Sequence, residues 1–202
     1  MGGIMRILVI APHADDGEIG CGGTLAKYAD MGHTIFYATF ASIDPTLTEL
    51  KNALEILGIP EHHIIYSPTK IREFGYSRQA ILDELITMKY CCAPDLVFIP
   101  SFNDTHQDHK VITDESFRAF KDVSVLGYEI PWNNLTFTTN RFIELTEDHL
   151  KRKFNAMFAH KSQHNRRYVT EDFVVSLAKV RGIQVGLQYT EAFESIRWIE
   201  KL

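Results

Sequence analysis

The chain has little cysteine: three in 202 residues, two of them adjacent at Cys91 and Cys92. That number cannot build a disulfide framework and points to a reducing compartment, so a cytoplasmic location is expected. Positive charge is not in excess either. Lys and Arg number 21 against 26 Asp and Glu, a formal charge of −5, and a nucleic-acid partner would normally announce itself with a basic face. No charged leader precedes an apolar run, and no stretch approaches the roughly 20 apolar residues of a transmembrane segment. With 45% apolar and 11% aromatic residues, wholesale disorder is excluded. No repeat, low-complexity tract or linker interrupts the chain, so one domain over residues 1–202 is expected. Histidine is what the chain does have, nine in all, and their placement carries the rest of the reading.

Arg6–Ala11 is a short continuous apolar run rich in β-branched residues, the pattern of a strand buried on both faces. A polar turn follows (Pro12 to Glu18), then Gly20-Cys21-Gly22-Gly23, then a helix expected over Thr24–Met31 and stopped by Gly32. Thr34–Ala41 reads as a strand and Leu47–Leu57 as a helix, closed by Gly58 and Pro60. A short strand over His63–Tyr66, a helix over Arg78–Tyr90 and a buried strand over Leu96–Ile99 continue the alternation. Beyond them, strands are expected at Val123–Tyr128, Arg141–Leu145 (at an antiparallel edge) and Ala192–Ile199, with helices at Asp148–Phe158 and Asp172–Val180. Alternation of this kind predicts an α/β fold: three layers, Rossmann-like, a mostly parallel sheet with helices on both faces.

Ligands in such folds bind beyond the carboxyl ends of the strands. Two loops belong there, His13-Ala14-Asp15-Asp16 and Asn103-Asp104-Thr105-His106-Gln107-Asp108-His109. A strand followed by glycines and a helix also begins a dinucleotide-binding unit, but Leu25 stands where the third glycine of G-x-G-x-x-G belongs. Asp15, Asp16 and Glu18 would moreover repel a pyrophosphate from the helix N-terminus. The acidic, histidine-bearing cluster suits a cation instead. A catalytic zinc takes three nitrogen or oxygen ligands and keeps one position open. His13 and Asp16 lie three residues apart on one turn, and His109 is a third donor. Of two adjacent carboxylates, one can hold metal while the other acts as a base. His106 and His109 would share a face if their segment is helical, so residue chemistry alone leaves the ligand set open. Asp108 is close enough to orient an imidazole through its second nitrogen. His33, His62, His63 and His149 read as ordinary surface or packing residues.

The stretch Ala11 to Leu25 resembles the H-P-D-D-x-E-x-x-x-G-G signature of the LmbE/PIG-L de-N-acetylases, and His106 to His109 resembles that family's H-x-D-H motif. Glu49, Ala53, Leu57-Gly58, Ala93-Pro94-Asp95, His160-Lys161-Ser162-Gln163 and Glu191-Ala192-Phe193 are similar to further family features. The resemblance implies an LmbE-like fold and a hydrolase, dependent on zinc or another divalent transition metal, that removes acetyl from a small-molecule amino sugar of the N-acetylglucosamine type. It implies His13, Asp16 and His109 as ligands, Asp15 as general base, His106 as electrophile and acid, and Asp108 as the group that orients His106. Two positions depart from the pattern. Ala14 replaces the usual Pro, and Thr46 the usual Arg of the R-x-x-E helix; Arg72 or Arg78 could supply the missing cation.

Tyr128 to Asn134 joins aromatic faces to Glu and Asn side chains and suits a sugar as well as it suits core capping. Cys21 reads as a small residue needed near the glycines rather than a soft ligand. Two other readings compete: a metal- or sugar-binding member of the fold without turnover, and a metal-dependent hydrolase of another bond. Intact Asp15 and His106 disfavour the first. The absence of a Lys/Arg cluster near the motifs disfavours a phosphoester. Assembly into a homo-oligomer is left open.

Overall fold

A computed structural model describes residues 3–41 and 46–200. Seven strands form one sheet in the order β3-β2-β1-β4-β5-β7-β6. The central strand β1 (Arg6–His13) pairs in parallel with β2 (Thr34–Ala41) and with β4 (Leu96–Pro100). β3 (Ile64–Tyr66) and β5 (Ser124–Tyr128) extend the parallel part on either side. β7 (Thr190–Arg197) and β6 (Arg141–Glu144) close the far edge antiparallel, as expected for Arg141–Leu145.

Alternate residues of β1 feed two separate cores. Ile7, Val9 and Ala11 face the layer holding α1 (Asp16–Asp30), α2 (Thr46–Ile56), α5 (Glu147–Ala159) and α6 (Glu171–Ile183). Leu8 and Ile10 face α3 (Arg78–Cys92) and α4 (Gln107–Ala119). This period of two is why a run with no polar residue was needed: both faces of the strand are covered. Among the described residues no helix is long and apolar enough to cross a membrane.

Two differences from expectation bear on the site. The first helix starts at Asp16, not Thr24, and passes through its glycines with one non-helical residue, Cys21 (φ −144°, ψ 15°). Glycine's low helix propensity is overruled by close packing. A Cβ at Gly17 would stand 2.6 Å from the Tyr37 ring, and one at Gly20 would overlap the ring of Tyr128. Gly23 N–H and Thr24 N–H, freed by the kink, donate to the Glu191 carboxylate at 3.0 and 2.7 Å, and Glu191 pairs with buried Lys153 at 2.6 Å. The second difference is α4, which apolar spacing did not single out. Its buried side carries Asp108, His109, Thr113, Glu115 and Ser116 beside Val111 and Ile112, so a helix of functional polar residues hides its own amphipathic signal.

Candidate metal centre and active site

β1 and β4 are neighbours, and the chain leaves them toward opposite faces: β1 enters α1, β4 enters α4. That divergence opens a crevice beyond their carboxyl ends. His13 ends β1, Asp15 is the N-cap of α1 and Asp16 its first residue. From β4, the loop through Asp104 reaches His106, the N-cap of α4, and His109 on its first turn.

The crevice brings three donor atoms together. Asp16 Oδ2 lies 3.1 Å from His13 Nδ1 and 3.0 Å from His109 Nε2, and the two nitrogens are 3.2 Å apart. Tetrahedral zinc ligands at typical bond lengths stand roughly 3.3 Å from one another, so this triangle needs little adjustment to hold such an ion. His106 offers a further nitrogen: one ring nitrogen from each of His13, His106 and His109 lies within 4.8 Å of the other two. The set containing Asp16 is the tighter one.

Carboxylates hold the outer nitrogens of both imidazoles. His109 Nδ1 bonds Asp104 Oδ2 at 2.7 Å, and His13 Nε2 lies 3.3 Å from Asp108 Oδ2. Asp104 also accepts the backbone N–H of His106 through Oδ1 at 2.8 Å. Asp104 belongs to the second loop, yet nothing in its local sequence marked it as the residue behind His109. The expected pairing of Asp108 with His106 is not the one formed. His106 is extended (φ −69°, ψ 128°), and its Nδ1 accepts the Asp108 backbone N–H at 3.2 Å. The Asp108 side chain points instead at His13 and accepts the Arg72 backbone N–H at 2.8 Å.

Burial opposes ionisation of Asp16, but His109 and His13 hold its carboxyl well below the usual range. Burial likewise disfavours charge on His109, yet Asp16 and Asp104 raise it to about 10; His13 is raised too, Asp16 outweighing its burial. These carboxylates concentrate a field that draws positive charge to one point, which is what a divalent cation requires. His106 goes the other way: burial, then the charges of His109 and His13, lower it. Asp15 is pushed up to about 6 by burial and by Asp16. Its side chain makes no capping bond to α1, so the carboxylate is not committed to the helix.

Behind Asp15 lies a buried network that the histidine motifs did not reveal. Glu18 is fully buried, accepts the Tyr37 hydroxyl, and meets His160 Nε2 at 2.8 Å. Glu49 of α2 receives the Ser162 backbone N–H and hydroxyl at 3.1 and 2.7 Å, anchoring the His160 turn. Only the similarity of Glu18 and His160-Lys161-Ser162-Gln163 to family features hinted at this cluster.

The remaining candidates divide. Arg78 is engaged by buried Glu115 and by Asp114, away from the crevice. Arg72 stays at the rim in a left-handed backbone (φ 67°), its carbonyl accepting Gln107 Nε2 at 3.0 Å. Thr46 opens α2. Cys21 is buried at the kink, its thiol donating to the Gly17 carbonyl at 3.2 Å. In the Tyr128–Asn134 stretch, Tyr128 donates to the Ile10 carbonyl at 3.0 Å and Glu129 pairs with Arg181, so both serve packing. His33 and His149 accept the backbone N–H groups of Met5 and Thr146, at 3.2 and 3.1 Å, local roles as expected.

The profile of PIG-L, described as GlcNAc-PI de-N-acetylase, matches residues 8–120, the span that includes both metal motifs. The chain belongs to the PIG-L family. Within reach of this PIG-L member are an Escherichia coli (strain K12) protein described as the uncharacterized deacetylase YaiS and a diacetylchitobiose deacetylase of Thermococcus kodakarensis. The first is 29% identical over 167 residues, covering 77% of this chain and 90% of YaiS. The second is 25% identical over 230 residues, covering 96% of this chain and 84% of its own length. Among solved structures, N,N'-diacetylchitobiose deacetylase from Pyrococcus horikoshii superposes with a TM-score of 0.76 at 22% identity, over 93% of this chain and 82% of that one. The same fold also serves a Pseudomonas putida KT2440 4-carboxy-2-hydroxymuconate hydratase, GalB, with a TM-score of 0.79 at 17% identity over 98% of this chain and 100% of that one. Architecture alone therefore does not choose the reaction; family membership puts the chain among deacetylases.

Proposed function

We propose that this PIG-L member is a zinc-dependent hydrolase that removes the acetyl group from an N-acetylglucosamine-type amino sugar. The observation that carries the reading is the triangle of His13 Nδ1, Asp16 Oδ2 and His109 Nε2, 3.0 to 3.2 Å on a side. Asp104 and Asp108 fit this role by holding the outer nitrogens, which leaves the inner ones free as ligands. Zinc bound there supplies Lewis acidity, lowering the pKa of a water to roughly 7 and polarising a carbonyl.

Asp15 is the general base in this reading. It takes one proton from the water as the oxygen–carbon bond to the acetamide forms. It then returns that proton to the sugar nitrogen as the carbon–nitrogen bond breaks, leaving a free amine and acetic acid, whose remaining water-derived proton passes to the amine or to solvent. A carboxyl poised near 6 accepts and gives up a proton near neutrality with little penalty in either direction. His106 acts as a donor rather than as a fixed cation: because Nδ1 accepts the Asp108 N–H, the ring proton belongs on Nε2, available to the developing oxyanion. One such donor is typically worth about 3 kcal/mol. Kinship to the two diacetylchitobiose deacetylases supports an acetylated sugar as the substrate class.

The test is amine release from N-acetylglucosamine derivatives by protein loaded with zinc and by the same protein stripped with a chelator. Turnover that is lost on stripping and returns with zinc is expected. Amine release that is indifferent to the metal, or none from any N-acetylated sugar, overturns the reading.

A further inference from the structure

Two aromatic rings from distant parts of the chain meet face to face at the rim of the crevice. Trp132, in the loop after β5, stacks on Tyr168, in the segment between α5 and α6. Their centroids are 3.9 Å apart and the rings 14° from parallel. Phe173 stands 6.2 Å from the indole. Despite this backing Trp132 remains 46% exposed, while Tyr128 and Glu129 in the same stretch are used internally. A half-wet indole beside a buried polar centre is the usual composition of a ligand wall: an apolar face with few convergent polar groups.

Both members of the pair are tied to the reacting groups. On one side, Thr105 donates its backbone N–H and its hydroxyl to the Asn133 carbonyl at 3.1 and 2.9 Å, and Asp104 bridges to Asn134. The loop that carries Trp132 is thus tied to the loop between β4 and α4, whose Asp104 holds His109. On the other side, Tyr168 belongs to one closely packed group with Asp15, Ile19, Met157, Gln163 and Val169. Burial, then the charge of Asp15, pushes the Tyr168 phenol up to about 12, so it keeps its proton and stays able to donate.

We propose that the Trp132–Tyr168 pair is the ring-recognition subsite: the pyranose lays a C–H face against the exposed indole, and the Tyr168 hydroxyl bonds a sugar hydroxyl near the acetamide. The proposal rests on the deacetylase reading and adds which part of the substrate is selected, the carbohydrate ring rather than the acetamide alone. Aromatic faces suit this task because a pyranose presents axial C–H groups as a flat apolar surface, and its hydroxyls lie around the edge.

The experiment compares zinc-loaded wild type, Trp132→Ala, Trp132→Phe and Tyr168→Phe on N,N'-diacetylchitobiose and on the acyclic N-acetylethanolamine. Trp132→Ala should raise KM for the sugar about tenfold with little change in kcat, erasing most of the preference over the acyclic amide. Trp132→Phe should recover most of the loss, which a general disturbance of the loop would not allow. Tyr168→Phe should weaken the sugar more than the acyclic amide. A second readout needs no turnover. Of the chain's two tryptophans, Trp198 lies against Arg141, so Trp198→Phe leaves Trp132 as sole emitter. Its fluorescence should respond to N-acetylglucosamine and not to N-acetylethanolamine. An unchanged sugar-to-acyclic ratio in Trp132→Ala, or silent Trp132 emission at saturating sugar, overturns the subsite. If wild type releases no amine from any sugar, the deacetylase reading falls, and the fluorescence titration still decides whether the pair binds a ring.

Discussion

Asp104 Oδ2 lies 2.7 Å from His109 Nδ1, with both side chains out of water. The contact fixes the proton on Nδ1 and presents Nε2 to the crevice. Asp104→Asn keeps the shape and removes the charge, and loss of such an outer partner usually costs 10- to 100-fold in metal affinity, so about that loss is expected here. Competition against a chromogenic zinc chelator measures it; unaltered affinity would show that Asp104 merely shapes the loop.

Asp15 and Asp16 are neighbours with different assignments, and substitution should separate them. Asp15→Asn should lower kcat by about 10²- to 10⁴-fold, the range for a general base, while zinc content stays near that of the wild type. Asp16→Asn should lower zinc content itself. Metal analysis beside steady-state kinetics checks both. Equal zinc loss in the two variants would argue against separate roles.

The buried His160–Glu18 pair predicts a pH-dependent stability. Burial alone would lower the His160 pKa, but the bond to Glu18 and its charge raise it above 6.5. A histidine raised in the folded state stabilises fully below its unfolded value, and the contribution fades as pH climbs through the folded one. His160→Gln leaves a buried carboxylate short of a partner and should cost about 3–5 kcal/mol. Urea midpoints from pH 6 upward should show the gap between wild type and variant narrowing as pH rises. A gap that widens instead would contradict the pairing.

Gly20 sits where α1 crosses β5, and a Cβ there would collide with the Tyr128 ring. Gly20→Ala should destabilise the protein by about 1–3 kcal/mol, the usual cost of overpacking. Denaturant midpoints measure the loss, and a neutral outcome would mean that the helix can slide away from the sheet.

Much of the sheet is legible in the chain because β1 must satisfy two cores at once. Only apolar residues can do so, which makes Ile7 to Ala11 unmistakable. The two acidic histidine loops are legible for a related reason: their residue types have little structural use at strand ends. Less is readable where packing overrules propensity. The start of α1 is masked by glycines whose reason is the proximity of Tyr37 and Tyr128. α4 is masked because its buried face is polar. Asp104 and Glu18 both lie inside the two loops, but what each holds is not readable from residue type: Asp104 meets His109 only through the turn into α4, and the Glu18 partners Tyr37 and His160 come from remote elements. Asp108 shows the difference most plainly. The resemblance implies that it orients His106, but an extended N-cap turns that ring toward the backbone, and the carboxylate of this α4 residue meets His13 at the end of β1.

Three cysteines, a small acidic excess and no long apolar run narrowed the class of protein, and histidines placed beside carboxylates in two loops offered candidate donors, the choice among them resting on the family resemblance. Those properties are local, so the amino-acid order determines them by itself. Which nitrogen of each imidazole faces the crevice, which carboxylate holds it there, and that Trp132 meets Tyr168 beside Asp15 are distances between residues far apart in the chain. Only the tertiary fold decides them: the chain leaves neighbouring β1 and β4 toward opposite faces of the sheet, and the loop after β5 and the segment between α5 and α6 pack beside the loops so parted.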